Sequence, residues 1–446
     1  MQFNLIVKSF QEYTMEKILI KGGTVTDGAG ERVCDLLIEG GRIAKLQSSI
    51  EQSGARVIDA RGLHVFPGFF DIHCHLREPG FEYKEDIQSG TLAAAAGGFT
   101  SICCMPNTSP VTDNKVVVRY ILSRAAECCG VNVYPIAAVT KGQGGTELTP
   151  FASLKAAGAV ALSDDGLPVA SASMMRLAME YAKPLALPII SHCEDMSLAE
   201  GGCANEGASA TAAGLKGISR ASEEIMVARD IILSQTLNAP VHIAHISTRG
   251  SAHLVREAKS RGVKVTCETC PHYFSIDDRA ITEYDTGAKV NPPLRTEDDV
   301  LAIKLAIADG TIDAIATDHA PHSEEEKAQE FALAPNGISG FETAFALSYT
   351  NLVQGNVIGL SKLIHLLTAG PARIMNMETG MLREGAPADI AVADLSERWT
   401  VDPQKFLSRG KNTPFGGAQL QGRILLTLAG GKTVYQRQRS SGSVSE

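Results

Sequence analysis

Asp71-Ile72-His73-Cys74-His75-Leu76-Arg77 is the stretch on which the reading of this chain turns. An apolar run, residues 64–72, leads into it and has the composition of a buried strand. Residues i and i+2 of a strand face the same side, so His73 and His75 point together. Two imidazoles at a strand end suit one metal ion. Arg77 follows two residues on, within reach of an anionic substrate group.

Seven further apolar or β-branched runs follow, at residues 99–105, 131–139, 159–162, 187–191, 241–246, 263–267 and 312–316. Between most of them lie segments with helical periodicity, such as 223–237, 253–259 and 298–308. Alternating strand and helix signals imply a parallel sheet. Eight such units over about 300 residues fit a (β/α)8 barrel. No glycine-rich dinucleotide fingerprint follows the first strand, which disfavours an open doubly wound sheet. The fold class expected is therefore α/β, a (β/α)8 TIM-like barrel.

The two ends of the chain read differently. Residues 17–63 look like short strands joined by glycine turns, and the pattern returns at 389–394, 424–428 and 433–436. Chain ends often lie close together. A small composite β-domain is expected, built from residues 1–66 and 370–446, around a metal-binding barrel at 67–369. Met15 opens the first clean strand, so residues 1–14 read as an extension.

The 446 residues are 44% hydrophobic and 20% charged, as in ordinary globular proteins. A net charge of -9 without a basic stripe argues against a nucleic-acid partner. No apolar run approaches the roughly 18 residues of a membrane span, and no secretory signal is visible, so a cytoplasmic location is expected. The ten cysteines include the adjacent pairs Cys103-Cys104 and Cys128-Cys129 in apolar segments and read as reduced core thiols. Cys267-Glu-Thr-Cys270 has CxxC spacing but no visible further partners.

A barrel puts its chemistry at the C-terminal ends of its strands. The first strand ends at His73 and His75, the second at Met105-Pro-Asn-Thr108 and the fourth at Ser163-Asp-Asp-Gly166. The fifth ends at His192, the sixth at His245, and the eighth at Asp318, followed by His319 and His322. Zinc takes such nitrogen and oxygen donors. The number of donors suggests two ions. His73, His75 and Asp318 can hold the first, His192 and His245 the second, and Asp165 is the natural bridge. Asp318 can also act as general base, then acid. His242 should lie deeper in the barrel, Asp164 should point away from Asp165, and His253, His272 and His365 read as packing or surface residues.

Taken together these motifs resemble the metal-dependent amidohydrolase superfamily, and within it the bacterial long-chain (type I) dihydroorotases. The resemblance rests on Pro67-Gly-Phe-Phe-Asp-Ile-His-Cys-His-Leu-Arg-Glu-Pro-Gly80, Met105-Pro-Asn-Thr108, Asp164-Asp-Gly166 and Asn205-Glu-Gly207. It rests further on Ala244-His-Ile-Ser247, Asn291-Pro-Pro-Leu-Arg295, Ala316-Thr-Asp-His-Ala-Pro-His322 and Lys411-Asn-Thr-Pro-Phe415. It implies two zinc ions on the ligands above with Asp165 bridging, and Asp318 as catalytic acid/base. It implies Arg77, Asn107 and His322 on the substrate carboxylate, with further substrate contacts at Asn291, Asn336 and Gly337. The family often has Phe before that glycine, where this chain has Asn336. The implied reaction is reversible hydrolysis of dihydroorotate to N-carbamoyl-aspartate in pyrimidine biosynthesis. A homodimer and an association with aspartate transcarbamoylase are also implied.

One segment points elsewhere. Glu268-Thr-Cys-Pro-His-Tyr273 looks more like allantoinases and dihydropyrimidinases, so an allantoinase or hydantoinase-like hydrolase stays open. Many superfamily members bridge their metals with a carboxylated lysine, but Lys141, Lys155 and Lys183 stand away from the Asp165 position. That favours the aspartate-bridged type. A non-catalytic scaffold should have lost metal ligands, and this chain keeps the full set.

Overall fold

The computed structural model describes residues 16–437 apart from 29, 52 and 53, so the expected extension at 1–14 lies outside the described residues. β1 (Ile18–Asp27), β2 (Gly30–Glu39), β3 (Arg42–Gln47), β4 (Arg56–Asp59) and β5 (His64–Pro67) come first. β6 (Phe69–Cys74), β7 (Phe99–Cys104), β8 (Asn132–Ala137) and β9 (Ala161–Leu162) form a four-stranded parallel sheet. β10 (Ile190–Ser191) is followed by a small pair, β11 (Ala204–Asn205) with β12 (Gly217–Ile218). β10 then pairs with β13 (Val241–Ile243), β14 (Val265–Thr269) and β15 (Ala314–Ile315) in a second four-stranded parallel sheet. Parallel bridges Leu162–Ile189 and Cys74–His319 connect the edges of the two sheets.

β16 (Ile390–Thr400), β17 (Gln419–Ala429) and β18 (Lys432–Gln436) return to β1–β5. Together they make one eight-stranded sheet in the order β18-β17-β16-β5-β1-β2-β3, with β4 on β1. The helices between the parallel strands include Ala221–Leu237, Arg249–Ser260 and Glu297–Asp309, each slightly longer than its periodic stretch. Among the described residues no helix is long and apolar enough to cross a membrane, and all ten cysteines are free.

The apolar run at 64–72 is two strands rather than one. β5 pairs antiparallel with β16 in the end sheet, whereas β6 pairs parallel with β7. The switch falls at Gly68, where an added Cβ would sit 2.2 Å from Thr100 Oγ1. Only glycine lets the backbone pass that close to the start of β7.

β6 carries the irregularity that matters for the site. Phe70 and Ile72 belong to one buried cluster with Cys103, Met105, Ile136 and Ala244, while Phe69 and Cys74 belong to another with Phe99 and helix residues such as Ala93. Strict alternation would keep residue 74 with 70 and 72. The pairing register with β7 shifts between Asp71 and Cys74, which reverses the phase. That local bulge re-aims the histidines beside the site.

Candidate metal and active site

The site is built at the C-terminal ends of the parallel strands. His73, His75, Asp165, His192, His245 and Asp318 converge there, and each is at most 5% exposed. Three functional candidates sit in left-handed backbone, Arg77 at φ 62°, His245 at φ 31° and Asp318 at φ 46°. Such conformations cost about 1–3 kcal/mol each and persist where the surrounding structure enforces them. Asp71 helps enforce the last. Its carboxylate accepts from Thr317 N at 2.9 Å and Thr317 Oγ1 at 2.6 Å, pinning the turn that presents Asp318.

Asp165 is the centre of the cluster. His73 Nε2 lies 3.2 Å and His245 Nε2 3.6 Å from its Oδ1, and His192 Nδ1 lies 3.7 Å from the same oxygen. His75 Nε2 is 3.5 Å from its Oδ2. Asp318 Oδ1 approaches His75 Nε2 at 3.1 Å and His73 Nε2 at 3.6 Å. Two triads, His73–His75–Asp165 and Asp165–His192–His245, each gather their donor atoms within 4.8 Å and share Asp165.

The donor set suits cations. His73 Nδ1 donates to Glu268 Oε1 at 2.7 Å, which leaves Nε2 with a bare lone pair. That nitrogen faces Asp165 Oδ1, and neither atom has a hydrogen-bond partner. Two unpaired acceptors held face to face in a buried site fit a metal ion between them. His245 Nδ1 is also without a partner. Without an ion the same carboxylates favour a proton on His73 instead, the charge a metal ion would replace. Burial opposes charge on His73, yet Asp165 and Glu268 carry its pKa well above the ordinary value. Burial pushes Asp165 up, but the surrounding histidines, His73 foremost, hold it well below the ordinary carboxylate range. Burial likewise raises Asp318, and His75, His73 and His245 bring it down to about 2. A pocket that stabilises charge in this way calls for positive charge at its centre.

The histidines are oriented by groups outside the motifs. Glu268, at the inward end of β14, takes His73 on one oxygen, and His242 Nε2 lies 3.3 Å from the other. Glu194 Oε2 accepts from His192 Nε2 at 3.1 Å and from Asn291 Nδ2 at 3.1 Å. Asn107 Oδ1 accepts from His75 Nδ1 at 2.9 Å. Asp164 turns away to Thr140, whose backbone N–H it accepts at 3.0 Å. The sequence offers Glu268 only as the start of the segment 268–273, with no role at the site, and does not mark Glu194 at all. Glu194 has only its i+2 spacing from His192 to recommend it. Outer partners of metal-bound histidines typically govern affinity by 10–100-fold. Glu268→Gln is therefore expected to weaken metal binding by about tenfold or more. Competition against a chromophoric chelator measures this, and the thermal midpoint of metal-free protein separates it from a folding defect.

A cavity of about 230 Å³ opens onto Asp165 and Asp318, and Arg77, Asn107, Asn291 and Asn336 line it as well. Gly337 lines it too, and a Cβ there would meet Ala320 O at 2.4 Å. Its φ of 148° and this close approach explain the glycine. The Gly337 N–H donates to Lys289 O at 2.9 Å, so it is already engaged. His322 stands beside Arg77, with Nε2 3.2 Å from Arg77 Nη2, and does not itself line the cavity. Asn412, from the far C-terminal segment, clips this wall together. It donates to Ala320 O and Gly337 O at 3.1 and 2.9 Å and accepts from His322 N at 2.9 Å.

Comparison with known proteins adds two kinds of likeness. A dihydro-orotase-like family model matches residues 62–251, and an amidohydrolase family model matches residues 207–435. The dihydroorotase of Acetivibrio thermocellus is 53% identical over 423 residues, which cover 94% of this chain and 99% of that one. The dihydroorotase of Syntrophus aciditrophicus is 51% identical over 424 residues, covering 94% and 99%. Among solved structures, L-hydantoinase from Arthrobacter aurescens superposes with a TM-score of 0.86 at 23% identity, over 95% of this chain and 97% of that one. Dihydropyrimidinase from Brevibacillus agri gives 0.81 at 23%, over 94% and 95%. At that identity the structures speak for the fold alone.

Proposed function

Because this chain belongs to the dihydroorotase family of the amidohydrolases, we propose that the strand-end cluster is its catalytic centre and that two zinc ions work there with Asp165 between them. The activity is that of a cyclic amide hydrolase, dihydroorotase, opening the dihydroorotate ring to N-carbamoyl-aspartate and closing it in reverse. His73, His75 and Asp318 would hold one ion and His192 and His245 the other. The metals would supply Lewis acidity at the ring carbonyl and make hydroxide available near neutral pH.

The remaining steps fall to the chain itself. Asp318 takes the proton of the attacking water and returns it to the ring nitrogen as the amide bond breaks. By the reverse path, protonated Asp318 gives its proton to the oxygen that departs on ring closure. Arg77 grips the substrate carboxylate with its planar donors, helped by Asn107, while His322 buttresses the guanidinium. Asn291 and the Asn336–Gly337 wall shape the rest of the cavity. The parallel bridges at both sheet edges support a closed (β/α)8 barrel at about 67–369. The shared end sheet supports a composite β-domain built from the two flanking regions.

The observation that carries this reading is Arg77 in the same small cavity as the two carboxylates and their imidazoles. Dihydroorotate has a carboxylate for it; dihydrouracil and allantoin do not. Purified protein is expected to turn over dihydroorotate in preference to both. Arg77→Ala removes charge-assisted hydrogen bonds worth about 1.5–3 kcal/mol. It should raise KM for dihydroorotate by about 10- to 100-fold with metal content unchanged. Turnover of allantoin or dihydrouracil without dihydroorotate would overturn the substrate assignment.

A further inference from the structure

Two side chains beside Asp318 have no part in the mechanism above. Cys270 directly follows β14, and His272 lies in the turn Pro271–Phe274. The Cys270 sulfur, one His272 nitrogen and one Asp318 oxygen lie within 4.8 Å of one another. Cys270 is 0% and His272 2% exposed, and neither lines the substrate cavity. His272 Nε2 is buried without a hydrogen-bond partner. An orphan of that kind calls for an explanation. Cys267, the other half of the CxxC pair, does not join this group, because its Sγ–H donates to Thr311 O at 3.3 Å in the main core.

Thiolate, imidazole and carboxylate are the three donor types that zinc takes from proteins, and thiolate favours softer ions such as cadmium. We propose that Cys270, His272 and Asp318 form a third site for a thiophilic divalent cation, filled only when the ion is in excess, and that filling it inhibits the enzyme. Asp318 also lines the substrate cavity, which gives the ion its route in. Binding forms a sulfur–metal bond and breaks the Cys270 S–H bond; the proton passes to solvent and no electron is transferred. Inhibition follows because Asp318, with one oxygen on the first zinc ion and the other on the added ion, has no oxygen left to carry a proton. The binding stands on geometry alone, whereas the inhibition rests on the role proposed for Asp318.

Cadmium added to protein already carrying two zinc ions tests both halves. The thiolate-to-cadmium absorption in the ultraviolet reports binding, and dihydroorotate hydrolysis reports inhibition. Exchange at the other two sites is silent in that band, since their ligands are histidines and aspartates. Wild-type protein is expected to take up one further equivalent with a rise in absorption and a parallel loss of activity. Cys270→Ser should keep its activity with two zinc ions. It should bind the third equivalent at least about tenfold more weakly, since losing even an outer partner costs that much. Cys270→Ala and His272→Gln serve as second variants should the serine protein fold poorly. No Cys270-dependent absorption, or inhibition unchanged in Cys270→Ser, would overturn the proposal. Absorption with full activity would leave the site standing and overturn its inhibitory role, and with it the part assigned to Asp318.

Discussion

Asp318→Asn is expected to lower kcat for dihydroorotate by about 100- to 10,000-fold, the usual contribution of a positioned acid–base group. Burial pushes this carboxyl up, but His75, His73 and His245 bring it down to about 2. It is therefore ionised at neutral pH, the form a general base must have before attack. Asparagine matches it in shape and keeps an oxygen toward His75, so the turn held by Asp71 should survive. What disappears is the site where the proton is parked between attack and ring opening. The expected signature is a collapse of kcat with KM nearly unchanged in protein whose near-ultraviolet circular dichroism is native. Near-normal kcat in metal-loaded Asp318→Asn would remove Asp318 from the catalytic role.

Asp165→Ala should have an effect of similar size by a different route. Asp165 is the carboxylate that both imidazole pairs face, at distances between 3.2 and 3.7 Å. Without it neither proposed ion keeps a negative ligand between them. Elemental analysis after dialysis is expected to show clearly fewer than two zinc ions per chain, with activity at background. Stability should fall as well. Removing one member of a buried charged pair typically costs about 3–5 kcal/mol, because the partner charge stays buried. A protein that retains two zinc ions and normal turnover without this carboxylate would exclude the bridging role.

The strand rhythm was legible because parallel strands buried on both faces read as continuous apolar runs. His73 and His75 could be paired from their spacing alone. Which side of β6 they face could not, since the register shift between Asp71 and Cys74 decides it, and a bulge has no signature in a run this apolar. The Gly68 switch was hidden for a related reason. Its need for glycine comes from Thr100, on a neighbouring strand. Glu268 escaped because the apolar run ends at Cys267, while the strand continues to Thr269 and turns the glutamate inward. Asn412 reaches His322 across 90 residues of sequence, a contact that only tertiary structure reveals. Local periodicity thus located the strand ends. The groups that orient the histidines depend on register and on contacts between distant segments.

The proposed two-ion centre is tested most directly by stepwise addition of zinc to chelator-stripped protein while dihydroorotate hydrolysis is followed. Activity is expected to be absent without metal and to rise to a plateau at two ions per chain, then to fall as excess zinc reaches Cys270 and His272. Full activity in the stripped protein, or a plateau at one ion with no gain from the second, would contradict a paired-metal site bridged by Asp165.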